Sequence, residues 1–154
     1  MKEIERKFLV KDLDFLKNAE NTYSIKQAYL QQDPAKSVRV RIKGEEAFLT
    51  IKGISDARGL VRQEWEYPIP LRDARALMEL CDDKIEKTRN VITYGKHLFE
   101  VDVFHGRNNG LVIAELELQT ENELIERPEW LGMEITGRTE YYNLALLDRP
   151  FQDW

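Results

Sequence analysis

One cysteine, Cys81, is all the thiol this chain has, so no internal disulfide can staple it. Its place on the apolar side of a helical segment reads as that of a buried, inert thiol. The two histidines, His97 and His105, lack the spacing of zinc ligands and read as solvent-facing residues beside turns. No apolar run approaches the roughly 18 residues of a membrane span, and the opening residues are too charged for a signal peptide. A cytoplasmic protein is expected. Low-complexity tracts, linkers and long-period repeats are also missing, so the 154 residues read as one domain, 1–154. Lysine disappears after position 96. Residues 1–96 carry 19 basic and 16 acidic groups, whereas 97–154 carry 4 basic and 12 acidic ones. The net charge of −5 argues against a basic nucleic-acid-binding surface. The loop from Gly53 to Gly59 lacks the lysine and serine spacing of a P-loop and reads as a lid or a plain hairpin loop.

What the chain does have is charge, 33% of its residues against the quarter or so usual in globular proteins. That charge is spaced with a period of two, the repeat of a β-strand. In MKEIERKFLV, Glu3, Glu5 and Lys7 share one face while Ile4, Phe8 and Val10 lie on the other. Strands are predicted over 23–30, in SVRVRIK (Arg39 and Arg41 inward) and in AFLTIK (Thr50 and Lys52), the last two forming a hairpin. LVRQEWEYPI aligns Arg62, Glu64 and Glu66 opposite Val61, Gln63, Trp65 and Tyr67. DKIEKTRNVITYG aligns Lys87 with Arg89, HLFEVDVF aligns Glu100 with Asp102, and LVIAELELQT aligns Glu115 with Glu117. Helical spacing marks 71–81 and 139–148, and a short helix is expected over 121–126.

An ordinary sheet with one wet face would also alternate charge with hydrocarbon. Such faces mix in Ser, Thr, Asn and Gln. These instead repeat doublets of one sign, Glu3/Glu5, Glu64/Glu66, Glu115/Glu117 and Arg39/Arg41, which repel unless an ion of opposite sign lies between them. A closed or nearly closed antiparallel barrel with a charged, hydrated interior accounts for the set.

The ordered motifs EIERK, VRVRI, LTIK, RQEWEY, EKTR, FEVDVF and AELEL resemble the CYTH superfamily, the triphosphate tunnel metalloenzymes, over essentially the whole chain. The resemblance implies an α+β fold dominated by β: an eight-stranded antiparallel closed barrel, the triphosphate tunnel, with helices packed outside. It implies Mg²⁺ or Mn²⁺ as cofactor, with ligands drawn from Glu3, Glu5, Glu64, Glu66, Asp102, Glu115 and Glu117, since hard carboxylate oxygens suit these ions. It assigns Lys7, Arg39, Arg41, Lys52, Arg62, Lys87 and Arg89 to the phosphates, and Glu5, Glu64 and Lys87 to the reacting centre. Phosphoryl transfer needs positioning and charge neutralisation, so no Ser or Cys nucleophile is required.

Tyr29 reads as a packed strand residue before a substrate contact, Lys26 stays open between inner face and surface, and Trp65 and Phe99 belong to the outer apolar layer. The C-terminal segment departs from the family in having no lysine. Either Arg138 substitutes there, or Tyr141 and Tyr142 hydrogen-bond the substrate, or this end of the site is less cationic; Asn143 follows the tyrosines. The expected activity is hydrolysis of a small triphosphate, first inorganic tripolyphosphate. A class IV-type adenylyl cyclase, a thiamine or nucleoside triphosphatase, and a non-catalytic polyphosphate- or nucleotide-binding module are the alternatives. Neither nucleic acid nor membrane is an expected partner, and a homodimer is left open.

Overall fold

The computed structural model describes residues 2–154. Nine strands form one sheet: β1 Lys2–Val10, β2 Asn21–Gln31, β3 Lys36–Lys43, β4 Glu46–Ser55, β5 Val61–Pro68, β6 Ile85–Tyr94, β7 His97–Phe104, β8 Val112–Glu117 and β9 Leu131–Glu134. Their order is β5-β4-β3-β2-β6-β7-β8-β1-β9, and β5 also pairs with β1, which closes eight of them into a barrel. Every pairing is antiparallel. The barrel read from the charge pattern is the barrel observed.

Closure is shared along one edge of β1. Its first half, Lys2 to Ile4, pairs with Gln63 to Val61 of β5. Its second half turns to β9, through Phe8 opposite Glu134 and Val10 opposite Leu131. Between them the seam is held by Glu5 N–H donating to the Leu60 carbonyl and Lys7 N–H to Thr136 Oγ1. β9 was not evident in the sequence. It is four residues long, and its Gly132 lies so close to Leu9 that an added Cβ would sit 2.9 Å from the Leu9 carbonyl oxygen.

Apolar residues of the outward faces build two outer layers. Phe8, Phe99, Val101, Ala114 and Leu116 pack beneath Trp130 and Leu131, with Phe15 stacked on Trp130 at 4.0 Å between ring centres. On the other side Ala28, Val40 and Ala47 are covered by Ala74 and Met78 of helix α1, Leu71–Glu79. The second helix differs from expectation. The 139–148 segment breaks into a 3-10 turn, Thr139–Tyr141, and helix α2, Asn143–Asp148, with extended backbone at Tyr142. Leu146 and Leu147 of α2 pack with Ile85, Phe104 and Ile113, which share the inward face with Lys87 and Asp102 by register. α2 therefore stops one end of the barrel with hydrocarbon, and the charged interior occupies the rest.

The helix expected over 121–126 is not formed; the segment is turn and irregular loop. Its carboxylates are drawn to other elements: Glu121 to Lys2 and Arg58, Glu123 to His97 and the Gln119 amide. Pro128 disfavours helix just behind it. His97 likewise departs from its expected exposure. It is buried, 5% exposed, with Nε2 2.8 Å from Glu123 Oε1. Lys26 points outward to Glu86, and Trp65 and Phe99 face outward, Phe99 fully buried. Among the described residues no helix is long and apolar enough to cross a membrane.

Candidate active site

Antiparallel register decides which charges meet inside the barrel, because directly opposed residues point to the same face. Glu5 opposes Glu117 and Lys7 opposes Glu115; Glu115 in turn opposes Glu100. Glu3 faces Arg62, Lys52 faces Glu64, Thr50 faces both Arg39 and Glu66, and Arg89 faces Asp102. All the charged residues singled out in the sequence for metal or phosphate thus line one interior.

In this arrangement acids and bases satisfy one another. Lys7 Nζ lies 3.1 Å from both Glu5 and Glu115. Lys52 bridges Glu3 at 3.1 Å and Glu64 at 2.7 Å. Arg41 holds Glu66 at 3.1 Å, and Thr50, fully buried, donates to the same carboxylate at 2.9 Å. Arg89 makes a two-pronged contact with Asp102, both bonds 2.7 Å, and reaches Glu115 at 3.0 Å and Glu100. Asp102 also takes Lys87 and is wholly buried. Consequently no three acidic side chains among the described residues converge as a ready metal cage. Arg62 is held differently, by two hydrogen bonds to Ser55 Oγ.

The charge states follow from this wiring. Burial, partly countered by Lys52 and reinforced by Glu64 and Glu5, pushes the Glu3 carboxyl up to about 8. Burial works against ionising Glu64 too, but Glu3 and Lys52 hold it down at about 2. Within this pair, Glu3 is the carboxyl whose ionisation is disfavoured and Glu64 the one whose ionisation is favoured. Burial together with Glu5, Glu100 and Glu64 raises Glu117. Glu115 is buried as well, yet Lys7, Lys87 and Arg89 keep it well below the usual carboxylate range. Burial lowers the Lys87 ammonium, with Asp102 opposing and Arg89 adding to the effect. The interior is thus charged throughout and nearly balanced: Glu3, Glu5, Glu64 and Glu117 lie with Lys7, Lys52 and Arg62, and Arg39, Arg41, Lys87 and Arg89 lie with Glu66, Glu100, Asp102 and Glu115.

A cavity of about 590 Å³ opens onto the tunnel, lined by Glu3, Glu5, Lys7, Arg39, Lys52 and Arg62 among others. Tyr29 and Tyr142 line it too, and the Tyr142 ring lies 5.7 Å from both the Lys7 ammonium and the Arg62 guanidinium. Of the residues considered for the lysine-free end, Tyr142 and Asn143 face the cavity. Arg138 turns instead to Glu140, and Tyr141 is buried in the apolar plug. Gly53–Gly59 forms the cavity's rim rather than a free flap: Asp56 Oδ1 accepts from the Leu60 and Val61 amides, and Gly59 touches Gly137. Sequence reading set Thr50 beside Lys52 on an inward face without a role, and passed over Gln27 and Ser55. Nothing in the residue type of Gln27 distinguishes a site residue from a wet strand face, and Ser55 meets Arg62 only through a register shift after Lys52 that period-two spacing does not reveal.

The comparisons agree with this geometry. A model of the CYTH domain matches residues 1–146. An inorganic triphosphatase of Acetivibrio thermocellus is 41% identical over 155 aligned positions, covering 99% of this chain and 97% of that protein. An inorganic triphosphatase of Nitrosomonas europaea is 35% identical, covering 95% and 97%. The crystal structure of the inorganic triphosphatase NE1496 superposes with a TM-score of 0.68 at 32% identity, covering 94% of this chain and 93% of that one. With this tunnel, its charged interior and a family match over nearly its full length, the chain belongs to the CYTH domain family.

Proposed function

We propose that the chain, as one tunnel domain, is a divalent-metal-dependent hydrolase of inorganic tripolyphosphate, as the names of its relatives suggest. The observation that carries the reading is a single barrel interior in which carboxylates suited to a divalent cation and a set of arginines and lysines suited to phosphate lie side by side. A substrate that is itself a chain of phosphates complexed with a cation matches both.

The carboxylates fit a divalent cation by their donor chemistry. Glu5 directly opposes Glu117, and mutual repulsion with burial disfavours full ionisation of Glu117 and Glu3. Glu3, Glu5 and Glu117, joined by Glu64 and Glu115 once their lysines are diverted, would hold Mg²⁺ or Mn²⁺. Such an ion, when bound, neutralises phosphate charge and makes water a better nucleophile near neutral pH. Glu66 and Asp102, each bound by arginines, aim those guanidiniums.

Arg39, Arg41 and Arg89 grip phosphate oxygens with their forks, and Lys7, Lys52 and Lys87 act as point charges. These cations leave their carboxylate partners for the more highly charged substrate. Arg62, bonded to a hydroxyl, enters that exchange already uncommitted to an acid. Glu5 and Glu64 would accept hydrogen bonds from a water that attacks a terminal phosphorus. In-line displacement then releases orthophosphate and pyrophosphate.

Purified protein given tripolyphosphate, ATP or thiamine triphosphate with Mg²⁺ or Mn²⁺ tests this. Orthophosphate release fastest from tripolyphosphate is expected. Formation of cyclic AMP from ATP would show a cyclase instead, and tight binding of all three without turnover would show a binding module.

A further inference from the structure

Gln27 stands near the middle of β2, 0% exposed, and neither atom of its side-chain amide has a hydrogen-bond partner among the described residues. It opposes Arg41 on β3 and Ile85 on β6, so it enters the barrel where the arginines meet the apolar plug. A buried primary amide without partners costs free energy that a methionine or leucine of like size would not. Packing alone therefore does not explain an amide at this position. Two more unspent donors belong to the same interior. The Nε atoms of Arg39 and Arg41 are buried without partners, although the terminal nitrogens of these guanidiniums bond Thr50 and Glu66.

We propose that Gln27 is a substrate-contacting residue, whose Nε2 donates to a phosphoryl oxygen also gripped by the Nε atoms of Arg39 and Arg41. Its Oε1 accepts a hydrogen from water or from a hydroxyl on that phosphoryl group. A neutral donor suits this position. Arg39 and Arg89 already repel Arg41, and a further cation would compound that repulsion. The inference rests on the triphosphatase reading for its substrate but not for its test.

The variants are Q27M, of similar shape without the amide, and Q27E, which keeps an acceptor and offers a carboxylate to Arg41. Melting is followed with and without tripolyphosphate in EDTA, alongside steady-state hydrolysis with Mg²⁺. Relief of the unpaired amide should raise the Tm of ligand-free Q27M by about 2 °C or more. Tripolyphosphate should then shift the Tm of both variants less than that of wild type. KM should rise about 10- to 100-fold, the loss expected for a hydrogen bond to a charged acceptor. Unchanged KM and unchanged tripolyphosphate shift in Q27M overturn the proposal. So does a loss of activity accompanied by a lower ligand-free Tm in both variants, which would mark Gln27 as structural. Should Q27M fail to fold, the shift in Q27E decides. If wild type hydrolyses no tripolyphosphate the triphosphatase reading fails, while the binding shift still decides Gln27.

Discussion

Removal of single charges should separate the roles of acids and bases in the tunnel. Glu5→Gln keeps size and packing but withdraws a negative oxygen from the carboxylates. It should lower kcat by roughly 100-fold while tripolyphosphate still binds; activity at the wild-type level would contradict its assignment. Arg41→Ala withdraws a phosphate grip and should mainly raise KM, about 10-fold or more. Steady-state kinetics on both variants check the split. The identity of these residues was legible because each sits in a doublet of one sign with period two. Their pairing was not, since register partners such as Glu5 and Glu117 lie far apart in the chain. Gln27 was illegible for a different reason. Its significance lies in the absence of a partner, which no spacing reveals. The burial of His97 was hidden likewise, because Glu123 reaches it from a loop that reads as a helix.

At the scale of elements, the strands with an inward charged face were readable almost to their ends, whereas β9 and the form of the C-terminal segment were not. A four-residue strand has no period of its own to detect, and β9 exists because β1 leaves β5 and needs a partner. α2 was expected outside the barrel. Its leucines suit any apolar surface, and only the inward Ile85, Phe104 and Ile113 show that the surface is the barrel's end. The rim of the cavity makes a sharper prediction. Gly59 and Gly137 have φ of +67° and +78°, and a Cβ on Gly59 would lie 2.3 Å from the Gly137 Cα and 2.6 Å from the Tyr142 hydroxyl. Gly59→Ala should therefore destabilise the fold by about 1–3 kcal/mol in denaturant titration. It should also disturb hydrolysis, because the displaced segment lines the cavity. A variant of wild-type stability would mean that the two loops part freely.

For the whole molecule, an interior of paired acids and bases implies that proton, cation and substrate binding are linked. The Glu3 carboxyl, raised to about 8 when folded, binds more protons in the native than in the unfolded chain from about pH 4.5 to 8. In EDTA, then, its contribution makes stability fall as pH rises through that window. Glu64, held down at about 2, acts on the other side, contributing stability that is lost as pH drops below about 4.5. A divalent cation bound at pH 7 should release protons from Glu3, seen by calorimetry in buffers of different ionisation enthalpy. No proton release would separate Glu3 from the cation. Whether this interior uses a divalent cation to hydrolyse inorganic tripolyphosphate is tested most directly by following the products with and without EDTA. One orthophosphate and one pyrophosphate per tripolyphosphate, abolished by EDTA and restored by excess Mg²⁺ or Mn²⁺, is the predicted result. Turnover that persists in EDTA, or intact tripolyphosphate in the presence of either cation, would contradict it.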